Sequence, residues 1–245
     1  MNDFNTNARH GSISQPAETD LGLRDFMVGT YRYMAMAMAV TAGVAWFSAP
    51  IVSGTPALAQ ALSSPIMSVI VILVIMGGFG AIGAKLSSMS KGGVLTFLFG
   101  FAAFMGFLMS LTVLYYPSLI LAKVFFMTVA LFGALSLFGY TTRTDLMPYL
   151  KYAAIGFAVF VVYLVASQFI PAIAPTGMME TGVMAIGLVL ISVMTAGKTQ
   201  ALKRIYYAYA GDAAMAGKIS AYGAATLLLA FINMFQILLS LFGRE

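Results

Sequence analysis

The sequence predicts an all-α integral membrane protein that crosses a bilayer seven times, and three observations predict it. Only 9% of the 245 residues are charged and 61% are hydrophobic, whereas an average soluble domain is about 25% charged; so few charges do not cover a soluble surface. The acids are Asp3, Glu18, Asp20, Asp25, Asp145, Glu180, Asp212 and Glu245, which leaves the stretch from Phe26 to Thr144 without a carboxylate. Seven apolar runs follow one another along the chain, most of them near the roughly 20 residues that span a hydrocarbon core of about 30 Å.

Residues 1–25 are polar, rich in Asn, Ser and Thr, and hold the single histidine, His10. They lack the basic start and short apolar stretch of a cleaved signal peptide, and read as a disordered cytoplasmic tail ahead of a transmembrane domain over residues 26–245. The runs are Tyr31 to Val52, Pro65 to Ala84, Gly92 to Leu114, Leu119 to Tyr140, Pro148 to Ile170, Thr181 to Gly197 and Ile219 to Phe242. Each is expected to be a helix, because backbone N–H and C=O groups in lipid must be paired within the segment or within a closed barrel. A barrel needs short strands of alternating polarity, and these runs are continuously apolar. Gly77, Gly78, Gly80 and Gly83 of the second run, Gly100 and Gly106 of the third, and Gly133 and Gly139 of the fourth allow close helix approach where no hydrophobic effect drives association.

The charges between runs set an orientation. Arg9, Arg24 and Arg32, then Lys85 and Lys91, then Arg143 and Lys151, then Lys198, Lys203, Arg204 and Lys218 fall on the side of the N-terminus, and only Lys123 and Arg244 fall opposite. Short cytoplasmic loops carry the Lys and Arg excess, so the N-terminus is expected in the cytoplasm and the C-terminus outside.

The same residues exclude several classes. There is no Cys, hence no disulfide, thiolate metal site or cysteine nucleophile, and one His in the tail argues against a metal centre. Met36 points away from the face shared by Met34 and Met38 at 100° per residue, so these methionines read as packing. No serine is paired with a His or Lys base and no two Asp residues pair within the runs, so neither an enzyme nor a bound cofactor is expected. The basic residues form no cluster, which argues against nucleic acid. GFGAIG (78–83) and SVMTAGKT (192–199) mimic phosphate-binding loops, yet both belong to apolar runs and lack the strand–turn–helix context such loops need.

Polar groups at membrane depth are functional candidates. Lys198 stands beside Thr199 and Gln200 at the end of the sixth run, and Asn233 and Gln236 of the seventh are three apart and share a face. These amides, with Gln168 of the fifth run, either bond helix to helix or line a watery path. Arg143 and Asp145 in GYTTRTDL either pair with one another or cap the fifth helix, with capping the simpler expectation.

GYTTRTDL, the run FFMTVALFGALSLFGYTTRTD, the TQ pair at 199–200 and LLLAFINMFQILLSLFG in the seventh run resemble the transmembrane Bax inhibitor motif family over nearly the whole chain after the tail. The resemblance implies six helices around a central seventh, residence in a bacterial inner membrane, and pH-sensitive leak of calcium or protons. In some bacteria it also implies binding to a membrane protease. In that family an Asp precedes the TQ pair and another precedes FIN, sharing a proton as a pH sensor; here those positions are Lys198 and Ala230. Two expectations follow. One is a cation leak channel with altered or lost pH gating, its route lined by Thr199, Gln200, Asn233 and Gln236 with Lys198 as a fixed charge. The other is a non-conducting regulator that docks on a protease or other membrane complex through the tail and a basic loop from Lys198 to Lys218.

Overall fold

A computed structural model describes residues 15–209 and 211–243. Eight α-helices and one short 3-10 turn account for the architecture, and no strand occurs among the described residues. The helices are α1 (Gln15–Ser53), α2 (Pro56–Leu62), α3 (Pro65–Lys85), α4 (Lys91–Tyr115), α5 (Ser118–Thr141), α6 (Met147–Phe169), α7 (Met178–Ala208) and α8 (Ala213–Phe242). All but α2 are long and apolar enough to cross a membrane. The seven expected runs map onto these seven helices in order. Residues 15–25 of the expected tail already belong to α1, and His10 with the rest of the tail lies outside the described residues.

The helix ends follow from local chemistry. Ser64 and Ser90 accept hydrogen bonds from the backbone N–H groups of Met67 and Gly93, and Asp212 accepts from Met215, satisfying donors that the first turn otherwise leaves unpaired. The short α2 starts on Pro56, whose fixed φ suits the first helical position. The departure that bears most on the site is α7, which continues to Ala208 rather than stopping at Gly197. The expected basic loop from Lys198 to Lys218 is therefore mostly helix: Lys198, Lys203 and Arg204 stand on α7, and Lys218 stands on α8.

The most apolar span, α3, has no buried residue at all. Phe47, Leu119, Phe126 and Met178 are likewise strongly exposed. Such an outer surface is stable only against lipid, and the protein is a membrane protein. Inside, α8 is the most buried span and packs on α1, α4, α5 and α7, while α3 packs on α6. Close approach is bought by small residues: a Cβ added to Gly106 would press on the carbonyl oxygen of Thr41, and one on Gly139 on the backbone of Ala196. Thr41 also donates to the carbonyl of Ala102 at 3.0 Å, and Thr30 to Ser220 at 3.0 Å, tying α1 to α4 and to α8.

One end of the bundle is basic. There Lys218 donates to the carbonyl of Ser87, Lys203 donates to the carbonyl of Tyr140, and Lys91 lies over the ring of Tyr33. The ends of α3, α5 and α7 and the starts of α4, α6 and α8 meet at this end, as alternating spans require.

Candidate functional site

Two cavities lie along α8. The basic-end cavity, of ≈ 540 Å³, is lined on α8 by Ile219, Tyr222, Gly223 and Thr226, on α7 by Lys198 and Leu202, and on the α3 side by Gly83 and Ser87. The far-end cavity, of ≈ 500 Å³, is lined on α8 by Asn233, Gln236, Ile237 and Ser240, with Ser68 of α3, Gln168 of α6 and Met184 of α7. The α8 residues of both cavities recur at intervals of three, four or seven, so they form one stripe on one helix face. Ala230, four residues after Thr226 and three before Asn233, is the position on that stripe between the cavities, and it is fully buried. On α7, Met184 and Lys198 share a face, and Ile191 midway between them is 1% exposed. The cavities are thus aligned end to end but separated by an apolar plug that includes Ile191 and Ala230.

The polar groups are distributed unequally. Tyr222 donates its hydroxyl to the carbonyl of Phe79, and Ser68 donates to Gln168 at 3.1 Å, so Gln168 joins helix to helix. Lys198 is partly buried, and none of the described residues accepts a hydrogen bond from its ammonium or pairs with it. Among the described residues it is the one ionisable side chain other than tyrosine that lines either cavity. No cluster of metal-ligating side chains occurs among the described residues.

Two of the expected route residues, Thr199 and Gln200, are placed elsewhere. Thr199 is fully buried, with its hydroxyl donating to the carbonyl of Thr195 and 3.5 Å from that of Tyr31. Gln200 clamps the segment between α5 and α6: its Oε1 accepts from the N–H of Leu146 at 2.7 Å, and its Nε2 donates to the carbonyl of Thr144 at 2.7 Å. Successive α7 residues turn by 100°, so when Lys198 faces the cavity, Thr199 faces α1 and Gln200 faces the loop. Ala230 adds a plug rather than a polar lining. Asn233 and Gln236 do line a cavity, although not the one that holds Lys198. Residues 222 and 226 went unnoticed in the sequence, yet extending the Asn233–Gln236 spacing backwards along α8 would have found them.

In the loop itself, Asp145 accepts from the N–H of Met147 at 2.9 Å and pairs with Arg204 at 2.7 Å. Arg143 is exposed and takes no part. The partner of Asp145 is thus 59 positions away, beyond any local reading. The Met147 N–H above all, and then the Arg204 guanidinium, hold the Asp145 carboxyl below its ordinary range. A lowered folded-state pKa makes the contact fully effective above the unfolded value of about 3.9 and removes it as pH falls through the lower folded value. The melting difference between the wild type and Asp145→Asn is accordingly expected to be constant from pH 8 to pH 5 and to shrink only below about pH 4. A difference that vanishes near pH 6 would contradict this.

Residues 23–245 match the family model described as inhibitor of apoptosis-promoting Bax1. The chain belongs to the Bax inhibitor-1 family. Among bacterial relatives, a protein of Caulobacter vibrioides is 31% identical over 99% of this chain and 98% of its own. The inner membrane protein YbhL of Escherichia coli K12 is 32% identical over 97% of each chain. A protein of Rickettsia prowazekii, RP147, is 29% identical over 92% of each. Within the Bax inhibitor-1 fold of this chain, of the two positions where the family resemblance leads one to look for acids, Ala230 falls on the α8 stripe that joins the cavities and Lys198 faces the basic-end cavity from α7. Neither is a carboxylate, so no pair of acids shares a proton there.

Proposed function

We propose that this Bax inhibitor-1 protein is an inner-membrane leak protein whose route runs between α7 and α8, with the basic end in the cytoplasm, and whose carboxylate pH switch has been replaced by a fixed charge and an apolar plug. The observation that carries this reading is the alignment of two cavities on one stripe of α8, with Ala230 at their junction. Plugging by Ile191 and Ala230 keeps the route shut in this conformation. Lys198, with no carboxylate lining its cavity, opposes a divalent cation, which takes six to eight oxygen ligands. A slow leak of protons or monovalent cations that ignores pH fits this arrangement better than gated calcium release. The alternative of a non-conducting regulator loses support, because Lys203, Arg204 and Lys218 are engaged within the chain rather than held out to dock on a membrane protease.

Flux into proteoliposomes between pH 6 and pH 8 tests this. The wild type is expected to leak protons or monovalent cations above empty vesicles, evenly across that range, with little calcium flux. Lys198→Asp combined with Ala230→Asp places two carboxylates on the facing sides of α7 and α8, which titrate as a coupled pair, and calcium flux is expected to become strongly pH-dependent. Wild-type flux equal to that of empty vesicles, with no gain in the double variant, would overturn the proposal.

A further inference from the structure

A different groove runs along the opposite side of α8. Two cavities of ≈ 350 and ≈ 620 Å³ lie between α1 and α5, and both are lined by Met38 and Phe231. They adjoin at these two shared residues along one groove, where α1 and α5 scarcely touch, which leaves α8 as the floor. Phe231, held between the rings of Phe125 and Phe132, is the centre of that floor. Along α1 the lining extends from Arg24 to Trp46, a rise of about 33 Å at 1.5 Å per residue, which is a full membrane thickness.

Most of the lining is apolar; Thr41, Thr112 and Ser118 are the hydroxyls of the groove's far cavity, and the one charged side chain, Arg24, belongs to its basic-end cavity together with Tyr31, Ser136 and Tyr140. Arg24 is exposed there, near Tyr31 and Tyr140. Ser136 lines the same part, and its hydroxyl is 5% exposed as a residue and buried without a hydrogen-bond partner. A buried hydroxyl left unpaired is costly, and it marks a place where an outside polar group belongs. The remaining requirement is an occupant with a long apolar body and an anionic or ester-bearing head.

We infer that the α1–α5 groove is a binding site for one anionic phospholipid of the surrounding bilayer. The acyl chains lie on Phe231 and Met38, the phosphate sits at Arg24, and the Ser136 hydroxyl donates to the lipid's ester oxygens. Basic pockets between transmembrane helices on the cytoplasmic side hold anionic headgroups in this manner. The chain's own first 14 residues are a poor occupant, since MNDFNTNARHGSIS scatters its large apolar side chains, Met1, Phe4 and Ile13, among polar ones and has no apolar run to fill a groove of this length. This site does not depend on the leak reading, which concerns another face of α8.

Native mass spectrometry of the purified chain, titrated with phosphatidylglycerol or with phosphatidylcholine of the same acyl chains, tests the site. One headgroup charge against one Arg near the surface is expected to favour phosphatidylglycerol about fivefold. Arg24→Gln, at an exposed position, is expected to abolish that preference by weakening phosphatidylglycerol more than phosphatidylcholine, whose choline already neutralises its phosphate. A Cβ at Gly133, which lines the groove, meets nothing within 4 Å, so Gly133→Phe has room to fold while filling the groove. It is expected to weaken both lipids at least tenfold. Equal binding of the two lipids by the wild type, or undiminished phosphatidylglycerol binding by Gly133→Phe, would overturn the inference. So would a wild-type dimer that Gly133→Phe dissolves, because the groove would then seat a second copy.

Discussion

Gly139→Leu is expected to cost about 3 kcal/mol, the upper part of the usual range for overpacking, and to leave little folded protein in detergent. A Cβ at this position falls on the carbonyl group and Cα of Ala196, so the obstacle is the backbone of α7 and no rotamer change relieves it. The two helices would have to part along a contact that also positions Lys198, two residues further along α7. Gly133 supplies the control on the same helix: a Cβ there enters open space, so Gly133→Ala should melt at or slightly above the wild-type temperature, given alanine's better helix propensity. Thermal unfolding followed by circular dichroism in micelles distinguishes the two. Equal melting of Gly139→Leu and Gly133→Ala would show that α5 and α7 are not in contact as described.

Gln200→Leu is expected to be the next most damaging change, at about 1–3 kcal/mol. Its amide satisfies two backbone groups of the α5–α6 loop, the N–H of the buried Leu146 and the carbonyl of the exposed Thr144, and the buried one, left unsatisfied, costs about 1–3 kcal/mol. The Asp145–Arg204 pair alone is a weak substitute, since both side chains are about half exposed and exposed pairs contribute about 0–1 kcal/mol. Gln200→Glu keeps the acceptor for Leu146 but loses the donor to Thr144, so an intermediate loss is expected. Hydrogen exchange at Leu146 reads the clamp directly: it should accelerate in Gln200→Leu and stay protected in Gln200→Glu. Protection of Leu146 in both variants would remove Gln200 from this role.

The clamp also shows where sequence reading stops. The TQ pair stood out because amides and hydroxyls are conspicuous at the end of an apolar run, and it was read as lining a route. What decides its role is the phase of α7. That helix continues to Ala208, and each step of 100° sends Lys198, Thr199 and Gln200 to three different neighbours. The boundary at Gly197 was misplaced for a physical reason: Lys198, Lys203 and Arg204 end the apolar run, but charges do not end a helix that emerges into water. Asn233 and Gln236 were read correctly as sharing a face, because that follows from spacing within one helix. Which cavity they face depends on α3 and α6, far away in sequence.

The sequence by itself determined the number of spans, their order, the gathering of basic residues at one end and the family. All of these rest on run length, hydropathy and local motifs, which a bilayer reads one segment at a time. Only the tertiary structure decided that Asp145 pairs with Arg204, that Gly139 lies against the backbone of α7 where Gly133 faces open space, that Ala230 lies between two aligned cavities, and that α1 and α5 stand apart over Phe231. These depend on how helix faces meet across long stretches of chain, and in lipid an outward and an inward face are both apolar, so composition does not tell one from the other.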